Sequence, residues 1–223
     1  MNRMEKKMKT KANFLQKYLW FISLVVGGIG ALLIWFCLPH QSQIDEFWWL
    51  IVKFIIYFIV VLGISFFPNK LKFGYLLTCL PFFPLLMFII PRASYFGIFG
   101  TLDTPAQGEM YTNLYFLLYP LIIMSIAFAH RIGGGKPGQS IKICVVGILL
   151  IFSGILDLCF NTANGRPLAV TLDYAYHIII LFGRALTWKE AFIFCLCHFP
   201  VMGLVIALPL DKWFAKWGLI EAE

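Results

Sequence analysis

Seven stretches of apolar residues run along the chain, at about 19–38, 46–67, 73–91, 111–130, 141–161, 168–183 and 188–209. A helix of about 17–25 such residues crosses the roughly 30 Å hydrocarbon layer of a bilayer. None of the stretches shows the strict alternation of a barrel strand, and a backbone in lipid must satisfy its own hydrogen bonds, so each is predicted to be helical. The pattern therefore predicts an all-α, polytopic integral membrane bundle with seven transmembrane helices. The sixth stretch is the shortest, about 16 residues, and it carries Asp173 and His177. Were it re-entrant, the C-terminus would return to the other side.

The polar positions between the spans set the orientation. Arg3, Lys6, Lys7, Lys9, Lys11 and Lys17 precede the first apolar run, and an excess of Lys and Arg marks the cytoplasmic side. With the N-terminus inside, 13 of the 18 basic residues fall on inner segments, among them Lys70, Lys72, Arg131, Lys136, Lys142, Arg184 and Lys189. Arg92, Arg166, Lys212 and Lys216 fall outside, and Lys53 lies within the second span. The first apolar run is longer than that of a secretory signal and ends in Cys37-Leu38-Pro39-His40 rather than at a small-residue cleavage site, so it reads as a retained helix. The organisation is then a basic cytoplasmic segment (1–18), one transmembrane domain (19–210) and a C-terminal tail (211–223) that seven spans place outside, in a plasma or inner membrane. Residues 92–110 are too polar to cross yet contain Tyr95, Phe96 and Phe99. They are expected to lie at the outer interface as a lid.

Composition agrees. The chain is 61% hydrophobic and 13% charged, with mean hydropathy +0.83, against about half and a quarter in soluble domains. A soluble enzyme, a disordered tail and a nucleic-acid-binding module are excluded, and the net charge of +7 becomes a topology signal. The six cysteines form no CxxC pair; Cys195 and Cys197, two apart on a helix, point away from each other and suit neither a redox pair nor a zinc knuckle.

Ionisable groups at membrane depth carry the functional information, because each costs a few kcal/mol near the centre of a span. Asp157, Asp173, His177 and His198 stand out. On a continuous sixth helix Asp173 and His177 share a face, and short loops make the last three spans neighbours. The four are expected to converge on an outward-facing pocket as catalytic groups, with Asn161, Tyr115 and Tyr119 lining it for substrate. Carboxylate with imidazole supplies an acid/base pair, a proton relay, or ligands for a divalent transition metal, for which Asp173, His177 and His198 are the candidates. A purely structural role, with Asp173 bonded to His177 or a tyrosine and His198 to a backbone carbonyl, explains the same residues.

Weaker candidates surround this set. The segment from His130 to Ser140 is glycine-rich and basic and invites comparison with a phosphate cradle, but it lacks Walker spacing and reads more simply as a flexible inner turn. Arg184 and Glu190 are placed to pair. Pro81, Pro84, Pro120 and Pro200 fall inside predicted spans, where each frees a carbonyl. The GxSG and HExxH motifs are absent, as is a lysine in the middle of the last span. The sequence is thus read as a membrane protein that binds or processes a small or lipidic substrate, in contact with membrane lipids. The alternatives are a non-catalytic helical subunit docked on partner membrane subunits, or a small transporter. Against transport, the chain has no repeated halves.

Overall fold

A computed structural model describes residues 3–38, 46–68, 89, 113–158, 167–173 and 175–220, with the backbone alone for residues 3–16 and 176. The described residues are helical throughout, apart from short connections and one isolated bridge. Helix α1 (Arg3–Cys37) is 35 residues long, about 52 Å at 1.5 Å per residue, so its polar N-terminal third projects beyond its apolar part. Helix α2 (Phe47–Ser65) follows, then a π-helical stretch (Asn113–Leu118) continuous with α3 (Tyr119–Ile132), then α4 (Pro137–Phe152), α5 (Tyr176–Phe182), α6 (Trp188–Ala207) and α7 (Leu210–Lys216). Among the described residues, four segments are long and apolar enough to cross a membrane: Lys17–Cys37, Phe47–Ser65, Asn113–Ile132 and Trp188–Ala207. Helix α4, at 16 residues, spans about 24 Å and is prolonged by a helical turn at 155–158. The third expected span, 73–91, and the expected lid, 92–110, lie outside the described residues save for Ile89.

Small residues bring α1 and α2 together, as in many membrane helix pairs, where lipid supplies no hydrophobic drive and close packing must serve. A Cβ on Gly27 would lie 2.6 Å from the Val60 side chain, on Gly30 2.5 Å from Ile56, and on Gly63 2.9 Å from the Leu24 backbone nitrogen. The helices are antiparallel, since Trp20, near the start of the apolar part of α1, packs edge-on against Phe67 just past the end of α2, at 5.1 Å. A first core joins α2, α3 and α4 through Tyr57, Val61, Ile123, Ala127, Cys144 and Ile148. Its one polar group, the Tyr57 hydroxyl, donates to the Cys144 carbonyl at 3.1 Å. Outward-facing residues are apolar, with Phe36 78% and Leu204 69% exposed, as suits a lipid-facing surface.

The contacts define two ends. At one, the basic end, Phe67 meets Phe128 at 5.1 Å, Phe66 meets Phe214 at 5.2 Å, Lys142 donates from Nζ to the Ile206 carbonyl at 2.7 Å, and the Gly138 amide donates to Asp211 at 2.7 Å. The end of α6 and all of α7 thus sit beside the start of α4, at the same end as the glycine-rich turn. The expectation that the last span delivers the C-terminus to the side opposite Lys136 is corrected.

The cause is the sixth apolar stretch, which is not a spanning helix. Residues 167–172 are not helical, residue 173 lies in a turn, and α5 has only seven residues, about 10 Å. Thr171 and Thr187 form an antiparallel bridge, with Leu172 N to Leu186 O at 2.9 Å and Trp188 N to Val170 O at 3.3 Å. The segment therefore enters and leaves at the same place. Gly183, at φ 69°, ends α5, and Thr187 with Glu190 forms the capping box that starts α6. Leu172, Ala175, Ile178 and Leu186 of this hairpin pack on Leu158, Ala191 and Cys195 as a second core. The basic-residue balance does not register the change, because Lys212 and Lys216 exchange sides with Arg184 and Lys189.

Candidate functional site

The polar side chains of interest gather at the end away from the basic one. Pro120 has no amide hydrogen to donate to the carbonyl four residues back and its ring crowds that carbonyl, and the turns just before it widen into the π-helix. This stretch carries Asn113, fully buried, together with Tyr115 and Phe116. Tyr115 packs edge-on against Tyr119 at 5.2 Å, and its hydroxyl hydrogen-bonds the Asp157 carboxyl.

Asp157 reaches this place because α4 stops at Phe152. Ser153 turns its hydroxyl back to the Leu150 carbonyl at 2.7 Å, and Gly154 takes φ 80°, a left-handed conformation open to glycine. The chain then resumes as the turn 155–158, on which Asp157 is only 5% exposed. Its Oδ2 has no partner among the described residues.

His177 comes from the hairpin. Its ring lies 5.9 Å from that of Tyr115 and 5.4 Å, edge-on, from Phe152, while its Nε2 is buried without a partner among the described residues. His198, midway along α6, is within electrostatic reach of His177. It packs on Phe194 at 4.6 Å, and its Nδ1 is 2.9 Å from the Phe194 carbonyl. A protonated Nδ1 donates there and leaves Nε2 as the other ring nitrogen.

The structure thus brings Asp157, Tyr115, Tyr119 and His177 together, with His198 at the margin. Asp173 is not among them. It sits exposed in the turn before α5, and since no helix joins it to His177, the shared face inferred from their spacing does not exist. Asn161 lies outside the described residues. Among the described residues no three His, Cys, Asp or Glu side chains approach closely enough to hold a metal ion. Asp173, His177 and His198 therefore do not make the expected ligand set.

Two participants were not anticipated. Phe152 walls His177, and Lys53 of α2 holds its ammonium 5.9 Å from the Phe116 ring centroid. Lys53, a charge within a span, was the available signal for the second; Pro120 was the signal for the altered helix that aims Tyr115.

The basic end offers less. Arg131 donates to the Gly135 carbonyl at 2.8 Å, and Gln139 accepts from the Lys136 amide at 3.1 Å and lies 3.2 Å from His130 Nε2. The expected flexible turn is a built one, and Asp211 already takes the Gly138 amide that an anion would use. Arg184 and Glu190 pair in a bidentate bridge at 2.6 and 3.1 Å, solvent-exposed and hence of small energetic weight.

Asp157 and His177 together can accept, donate and exchange protons with a bound group, and Tyr115, bonded to one and stacked near the other, fixes their relative position. No protein family, curated protein or solved structure matches this chain.

Proposed function

We propose that this is a multi-pass membrane protein that binds or processes a small or lipidic substrate at the Asp157, Tyr115 and His177 cluster. With the N-terminal basic run on the cytoplasmic side, the cluster faces the outer leaflet. The observation that carries this reading is the pair of buried polar atoms, Asp157 Oδ2 and His177 Nε2, which have no partner among the described residues and belong to side chains that both meet Tyr115. A buried acceptor or donor without a partner costs about 1–3 kcal/mol, and two in one place are what a site prepared for a polar ligand presents.

The test is to purify the chain in lipid nanodiscs and identify small molecules retained by native mass spectrometry, for the wild type and for Asp157→Asn and His177→Gln. A retained species lost from both variants, while each stays folded, supports the reading. Equal retention by all three, or none by any, contradicts it. Purification only as part of a fixed membrane complex would favour the non-catalytic subunit instead.

A further inference from the structure

We infer that α7 is an interfacial anchor whose uncovered side binds anionic lipid headgroups at the basic end of the bundle. The inference rests on the chain being a membrane protein and is independent of the Asp157 cluster. Pro209 holds the preceding Leu208 out of the helical region, at φ −59° and ψ 132°, so α6 stops and α7 sets off in a new direction. Its first turn is tied to the start of α4, where the Asp211 carboxylate accepts from the Gly138 amide at 2.7 Å. About one turn on, Phe214 packs on Phe66, just past the end of α2, at 5.2 Å. A seven-residue helix is about 10 Å long, and packed helices stand about 8–10 Å apart. Helix α7 therefore reaches from the end of one helix to the end of its neighbour, across the bundle and along the membrane surface. Gly218, left-handed at φ 69°, closes it, with the Leu219 amide donating to the Phe214 carbonyl at 2.9 Å.

Docking through Asp211 and Phe214 leaves two rows of side chains uncovered. Lys212 and Lys216 form one and Trp213 and Trp217 the other; the members of each are four residues apart, and all four are exposed. Helical spacing sets the rows to either side of the docked face. Tryptophan is enriched at the headgroup level, where its apolar body and its N–H are both served, and a lysine near the surface is drawn to anionic lipid. The charge of the whole end selects the headgroup. The six basic residues up to Lys17 on α1, with Arg131, Lys136, Lys142, Lys212 and Lys216, stand against Glu5, Asp211 and, beyond α7, Glu221 and Glu223. Such an excess favours an anionic lipid over a zwitterionic one. An acidic soluble protein would suit the lysines as well, but two tryptophans at the depth where α2 and α4 end are placed for lipid.

The experiment reconstitutes the full chain in nanodiscs of equal parts phosphatidylcholine and phosphatidylglycerol and uses native mass spectrometry to weigh the lipids that stay bound. The wild type should retain phosphatidylglycerol in excess, and Lys212→Gln with Lys216→Gln should lower that excess about fivefold per lysine, the equivalent of roughly 1 kcal/mol each. Both lysines are exposed, so the double variant keeps the fold. The second measurement isolates the emission of Trp213 and Trp217 as the difference between the wild type and the Trp213→Phe, Trp217→Phe variant. Phosphatidylglycerol brominated near its headgroup should quench that emission more than phosphatidylcholine brominated at the same position, and the lysine substitutions should abolish the difference. An unchanged lipid ratio in the lysine variant would overturn the inference. So would tryptophans that neither bromolipid quenches but aqueous acrylamide does, since the uncovered side would then face water and await a soluble partner.

Discussion

Replacing Gly63 by alanine places a Cβ 2.7 Å from Leu24 Cγ and 2.9 Å from the Leu24 backbone nitrogen. The side-chain atom can swing aside, but the nitrogen belongs to α1 and moves only if the helix moves. Restoring an ordinary contact of about 3.4–4 Å demands that α1 and α2 separate by at least half an ångström at their tightest point, which loosens the matching contacts at Gly27 and Gly30 as well. Overpacking of this kind costs about 1–3 kcal/mol. Gly28 supplies the control, because a Cβ there meets nothing within 4 Å. Both substitutions gain the same helix propensity, about 0.8–1 kcal/mol, so the difference between Gly63→Ala and Gly28→Ala isolates packing at about 1–3 kcal/mol. Equilibrium unfolding in mixed micelles, titrated with a denaturing detergent, measures it. If Gly63→Ala is as stable as Gly28→Ala, the close approach of α1 and α2 is wrong.

Other predictions address the remaining elements. Thr187→Ala removes the hydroxyl of the capping box that starts α6 and should lower stability by about 1 kcal/mol in the same titration. Tyr115→Phe takes away the donor to buried Asp157; a loss of about 1–3 kcal/mol is expected, and it should fall well below that when measured in an Asp157→Asn background. Lys142→Met removes the ammonium from the C-terminal carbonyls of α6 and should cost about 0.3–1 kcal/mol, less at high salt. Asp211→Ala frees the Gly138 amide and should undock α7, seen as faster proteolysis after Lys212 or Lys216, with substrate or lipid binding at the far end unchanged.

How far the sequence discloses this arrangement depends on which physical signal each part rests on. The long helices are legible because length and apolar content alone decide them: α1, α2, the Asn113–Ile132 segment and α6 fall where the hydropathy runs put them. The stretch 168–183 is misread because an apolar run of that length is equally consistent with a spanning helix and with a buried hairpin. Thr171, pairing with Thr187, and Gly183, in a left-handed turn, decide for the hairpin only once the partner strand is known. The error propagates to Asp173, whose proximity to His177 assumed helical spacing, whereas Asp157 and His177 were singled out by the cost of a charge in lipid, which does not depend on local geometry. Tyr115 was reached through a helix face it shares with Tyr119. The two do touch, although across a π-to-α transition that hydropathy does not record. Lys53 was visible as a charge within a span, but nothing in a single sequence connects it to Phe116, more than sixty residues on.

The claim on which the rest depends is that the chain turns back between residues 167 and 187, so that His177 is delivered to Tyr115 and Asp157 and α6 ends beside α4. Membrane-side reporters inserted in the turn at Gly134 and fused after Glu223 test it most directly. The account predicts that both report the same side of the membrane. Reporters on opposite sides would mean that residues 168–183 cross as a helix, which carries His177 away from the cluster and removes the site.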